Sequence, residues 1–188
     1  MSESFSRRDF AKASIGGAVA VKGLSADSAT AAPTGAVRPP LLSLECTIIV
    51  TLGTPIEMGI VPGGRRRFIP ITGGTVSGAR LQGVVLPGGG DWQTIGDDGT
   101  TEIHARYALR ASDGTVVEID NPGVRVASPE IIARLTAGED LDPALYYFRT
   151  TPKFSLPVGK HDWLRRNIFV AVGIRHPATV EVQIFKVG

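Results

Sequence analysis

From Leu41 to the C-terminus, apolar and polar positions alternate in short runs separated by Gly, Pro, Asn and Asp. Period-two alternation of this kind marks β-strands with one face packed and one face solvated. It predicts strands over 42–51, 66–71, 75–86, 91–95, 101–111 and 115–120, and, after an interruption, over 144–151, 167–175 and 179–187. Ser112-Asp113-Gly114 and His176-Pro177-Ala178 join successive runs, and links this short cannot hold a crossover helix, so neighbouring strands run antiparallel. So many strands in one small chain predict an all-β fold, a single closed or nearly closed antiparallel β-barrel of about 8–10 strands.

One helix interrupts the pattern, at SPEIIARLTAG. Ser128 is placed to cap it, Pro129 suits the first turn, and Gly138 can end it. Ile131, Ile132 and Leu135 give it one apolar face, which predicts that it plugs or flanks one barrel end.

The N-terminus follows a different rule. Arg7-Arg8, then Phe10 and Lys12, a modest apolar run and the small residues Ala29-Thr30-Ala31 form a twin-arginine export signal over residues 1–31. Residues 32–41 read as a flexible lead-in and 42–188 as the barrel domain. The apolar run is shorter than the roughly 20 residues that span a bilayer. The expected location is therefore periplasmic or secreted, with the twin-arginine machinery as a partner and no stable membrane insertion.

Composition removes several function classes. The chain of 188 residues carries a formal charge of +2, and without residues 1–31 it is nearly neutral, so nucleic acid is not an expected partner. Cys46 is the only cysteine, which leaves no intramolecular disulfide, and its mid-strand apolar setting suits a small core residue. His104, His161 and His176 lack metal-ligand spacing, so neither a metal nor a cofactor is expected. Pro87-Gly88-Gly89-Gly90 is followed by Asp91 and another β-like run, without Lys or a helix. That context argues against a phosphate loop and for a wide turn or bulge between antiparallel strands.

The strand 101–111 carries the most chemistry. Ile103, Ala105, Tyr107 and Leu109 share one face; Glu102, His104, Arg106 and Arg110 share the other. Either face could line a lumen. Of Arg66 and Arg67, alternation allows only one to point inward. Trp92, Tyr147, His161 and Trp163 complete the aromatic and basic candidates for ligand contact.

Four phrases then coincide in order: G-x-V-x-G-x-x-L-x-G-V-V-L-P-G-G-x-D-W, A-R-Y-A-L-R-A-S-D-G, G-K-x-D-W-L and I-F-V-A-V-G-I-R. Together they resemble the bacterial domain-of-unknown-function family three-two-three-seven, over about Leu42 to Val187. The resemblance implies a calycin-like barrel with a central cavity. It also places Asp91, Trp92, Arg106, Tyr107 and Asp113 in recurring phrases, with Asp113 explained by turn chemistry alone. His104 and His161 depart from the family pattern, which implies a locally specialised pocket.

Two functions follow as expectations. The first is a barrel that binds a small, partly apolar molecule, with Arg67, Trp92, Tyr147, His161 and Trp163 as contacts. The alternative is a cofactor-independent isomerase, cyclase, lyase or hydratase at the barrel mouth. There, Asp91 or His104 would move a proton while Arg106 and Tyr107 stabilise an oxyanion. That alternative requires all four side chains on one side of the sheet.

Overall fold

A computed structural model describes residues 38–188. The predicted export signal, and the lead-in up to residue 37, lie outside the described residues. The strands are β1 (Leu42–Leu52), β2 (Ile56–Val61), β3 (Gly64–Ser77), β4 (Gly83–Val85), β5 (Gly89–Ile95), β6 (Thr100–Ala111), β7 (Val116–Val126), β8 (Tyr147–Thr150), β9 (Lys153–Ser155), β10 (Phe169–Arg175) and β11 (Thr179–Val187). Pairing runs β1–β3–β5–β6–β7–β8–β10–β11 and returns to β1, an eight-stranded, all-antiparallel closed barrel with three further strands.

The three further strands continue barrel strands after a break. β4 and β5 both lie antiparallel between β3 and β6. β8 and β9 both pair with β7, and β1 and β2 both pair with β3. Pro87-Gly88 is therefore a bulge inside one wall strand, and the expected turn between two strands does not form. Gly88 sits at φ 107°, where a side chain would be strained. The Gly88 N–H still donates to the Ile71 carbonyl at 3.2 Å.

Two other strand expectations change for related reasons. The run 75–86 splits, because 75–77 finish β3 and 83–85 form β4. β7 continues through Asn121-Pro122-Gly123 instead of stopping at residue 120. Pro122 is tolerated because it falls where the outer partner of β7 changes from β9 to β8, so its missing N–H breaks no ladder there.

Helix α1 (Pro129–Thr136) forms as the caps predict, with Ser128 Oγ accepting from Ile131 N–H at 3.3 Å. Its Ile132 and Leu135 pack with Ile95, Ile103, Tyr146 and Phe148 and close one end of the barrel. The other end is apolar. Tyr107, Leu109, Val117, Ile119 and Phe169 pack there with Leu164 and Trp163, from the short 3-10 turn Asp162–Leu164. Cys46 belongs to this second core, and burial, with Glu45 adding to it, pushes its thiol up to about 12. That suits packing and leaves it a poor nucleophile.

Candidate functional site in the barrel lumen

Alternation along β6 resolves with the apolar face inward: Ile103, Ala105, Tyr107 and Leu109 are buried. The same parity carries Asn121 and Arg125 of β7, Asp91 and Gln93 of β5, and Arg67 of β3 into the lumen. Thr150 of β8 and Arg175 of β10 join them. These polar residues fill the helix-capped half of the barrel. The guanidiniums are almost fully enclosed, at 2% exposed for Arg67, 1% for Arg125 and 7% for Arg175.

A relay runs across this layer. Arg67 donates from Nε and Nη2 to Gln93 Oε1 at 2.9 and 2.8 Å, and Gln93 Nε2 donates to Asp91 Oδ2 at 2.5 Å. The relay fixes one oxygen of Asp91; Oδ1 is buried with no partner. Tyr107 OH, Asn121 Oδ1 and Thr150 Oγ1 are buried without partners as well. All four residues line one small, partly open cavity of about 30 Å³, whose remaining wall is largely apolar. That volume holds one or two waters. Phe148 borders it, and its ring lies against Gly173, where an added Cβ would meet ring carbons at 2.5 Å.

Burial governs the electrostatics. It pushes the Asp91 carboxyl up to about 6, against the opposing pull of the Gln93 hydrogen bond, of Arg125 and Arg67, and, least, of the His104 main-chain N–H. It raises the Tyr107 phenol, with Cys46 and Asp91 adding to the effect. It lowers all three guanidiniums, Arg125 to about 10, where the neighbouring Arg67 charge contributes further. A buried carboxyl near neutrality with one oxygen unpartnered, in the same cavity wall as a phenol and an amide, can exchange a proton or accept a hydrogen bond from an occupant.

Of the residues singled out from sequence, Asp91, Tyr107 and Arg67 converge on the lumen. His104 and Arg106 do not. They stand on the outer face of β6, bound to Asp120 at 2.6 Å and Glu118 at 2.8 Å, because strand alternation sends them opposite to Tyr107. The four-residue constellation of Asp91, His104, Arg106 and Tyr107 is therefore not assembled. Trp92 is also outside, its ring 4.8 Å from that of Phe68, and Tyr147 is an exposed outer residue of β8 covered by Arg149.

His161 and Trp163 lie at the apolar end. His161 Nε2 meets Asp113 Oδ2 at 2.9 Å, and Arg80 stacks over Trp163 at 4.1 Å. Asp113 thus does more than turn the chain. Its Oδ1 accepts from Thr115 N–H at 3.1 Å while Oδ2 holds His161, and these bonds keep its carboxyl well below the usual range. The two histidines that depart from the family pattern stand apart: His104 is on the outer face beside Asp120, in a surface hollow shared with Trp92 and Glu102, and His161 is a buried staple to Asp113.

Gln93, Asn121, Arg125, Thr150 and Arg175 were not anticipated. Parity counted from Val117 and Ile119 marks Asn121 and Arg125 as inward, provided the strand is carried through Pro122. β10 is apolar on both faces up to Arg175, so its pattern carries no such signal.

Fold and lumen together define a closed antiparallel barrel with an apolar half and a polar, partly unsatisfied half. The chain belongs to the family described as "Protein of unknown function (DUF3237)", whose model matches residues 40–187. A UPF0311 protein of Clostridium acetobutylicum is 42% identical over 145 residues, 76% of this chain and 90% of that protein. Among solved structures, a conserved protein of unknown function from Rhodopseudomonas palustris is 35% identical with a TM-score of 0.78, covering 81% of this chain and all of its own. A beta-barrel like protein from Acinetobacter baumannii is 34% identical with a TM-score of 0.69, covering 80% and 99%.

Proposed function

We propose that the polar half of the lumen binds a small, partly apolar molecule. The supporting observation is the set of four buried, unpartnered polar atoms on Asp91, Tyr107, Asn121 and Thr150 around one small, otherwise apolar cavity. Interior polar groups left without partners destabilise a fold by about 1–3 kcal/mol each, so a lumen that keeps four of them is better suited to recognition than to stability. Binding an occupant larger than water requires the Phe148 ring, packed against Gly173, to move aside. The test is a thermal-shift screen of the full chain against aromatic acids, small polyketide-like phenols and monoterpenoids. Stabilising hits are expected that disappear in Ala105→Leu, which fills the cavity; a flat screen, or hits unchanged in that variant, would refute lumenal binding.

A second reading draws on the Asp91 carboxyl, raised to about 6 with Oδ1 free. It is the group that a cofactor-independent enzyme would use as general acid or base, with Tyr107 beside it and without His104 or Arg106. Turnover of a screening hit, abolished in Asp91→Asn with binding retained, would favour this reading over simple binding. Export through the N-terminal signal would present the lumen to small molecules outside the cytoplasm. Replacing Arg7 and Arg8 by lysine and fractionating cells tests that location.

A further inference from the structure

We propose that the lumenal ligand is a small monocarboxylate on an apolar body, its acid group held by Arg125 with Arg67 and Arg175 beside it. This rests on the lumen being the binding site and specifies its ligand. Three guanidiniums share an interior that contains one carboxylate, Asp91. Among the described residues, none of the three forms an ion pair with an Asp or Glu. Arg67 is occupied by the neutral Gln93, and Arg175 Nη1 donates to the main-chain carbonyls of His176 and Thr179. Arg125 has no such relief: its Nε and Nη2 are buried without an acceptor.

Guanidiniums remain protonated in proteins, and a charge in a low-dielectric interior is expensive unless it is paired. With Asp91 ionised, this half of the barrel still carries two positive charges more than it balances. A planar carboxylate is one of the anions whose geometry matches the guanidinium fork, and the one that an apolar molecule most simply carries.

The surroundings set the rest of the ligand. Phe148 lies 5.9 Å from the Arg125 guanidinium and also borders the cavity, and Ile103 and Tyr146 pack around it. The arginines do not themselves line the cavity, and Phe148 stands between it and Arg125, so the ligand's apolar body would take the cavity and the place of the Phe148 ring while its acid group reaches Arg125. The small, largely apolar cavity suits a carboxylate on an apolar body better than the larger and more strongly hydrated head of a phosphate ester.

The experiment compares benzoate with benzamide, its neutral isostere, by isothermal titration and thermal shift on the full chain. Benzoate is expected to bind at least about tenfold more tightly, the discrimination a single charge-assisted pair supplies. Arg125→Gln should remove that preference while benzamide binding persists, and Arg106→Gln, on the outer face, should change neither. The wild-type ratio decides the matter even if Arg125→Gln does not fold. Equal binding of the two probes overturns the carboxylate and leaves lumenal binding standing. Silence from both overturns both. Equal stabilisation by sodium nitrate overturns the organic ligand in favour of a simple counter-ion.

Discussion

The two halves of the lumen use the same strands for opposite ends. Toward the Leu164 end, β6 and β7 contribute Leu109, Val117 and Ile119 to a core of apolar contacts, with Tyr107 on the border, its ring in that core and its hydroxyl at the cavity. Toward α1, the same two strands contribute Thr101, Asn121 and Arg125, each with a buried polar atom lacking a partner. One half is held almost entirely by apolar burial, with His161 and Tyr107 as its polar exceptions; the other gives up part of that gain by enclosing charge and several unsatisfied polar atoms. Natural cores rarely tolerate such groups without a reason. The contrast locates the functional half without reference to any motif.

The largest expected effect lies in the apolar half. Leu109→Ala should lower stability by about 3–5 kcal/mol, read from urea denaturation, because a fully buried leucine leaves a cavity behind. A loss below about 1 kcal/mol would mean that this half is not the stabilising one.

Asp91→Asn tests the polar half with the opposite sign. The folded carboxyl is raised from 3.8 to about 6, so between these values the folded chain holds a proton that the unfolded chain has released. The contribution of Asp91 to stability is fully present below about pH 4 and falls as pH rises through 6. Asp91→Asn should therefore be more stable than wild type at pH 7, by up to about 3 kcal/mol, with the gap closing at pH 4. A variant that is less stable at pH 7, by an amount independent of pH, would show the carboxylate to be a net stabilising partner of the arginines.

The outer face gives the smallest effect. Arg106→Ala removes a pair whose side chains are 59% and 52% exposed, and exposed pairs contribute less than about 1 kcal/mol. Chemical denaturation showing a larger loss would contradict the assignment of Arg106 to the solvated surface.

How much of this was legible in the sequence differs by residue. Tyr107 and Asp91 were visible because they sit in well-alternating strands. His104 and Arg106 attracted attention through their chemistry, and alternation alone could not say that their face was the outer one. Arg125 was hidden behind Asn121-Pro122-Gly123, which reads as a strand end and becomes a continuous strand only because β7 changes partner there. β2 and β9 went unpredicted because they continue strands past a break, and short segments of this kind show little alternation of their own.

By itself the sequence determined the barrel class, the capped helix and the family, since alternation, turn residues and caps are local and act within a few positions. The lumen was decided by tertiary structure. Closing eight strands chose the inner face and brought Arg67, Asp91, Arg125 and Arg175 from four separate strands into one buried interior. Their burial, and with it their charge imbalance, depends on that closure, because a side chain's electrostatics follow from what encloses it.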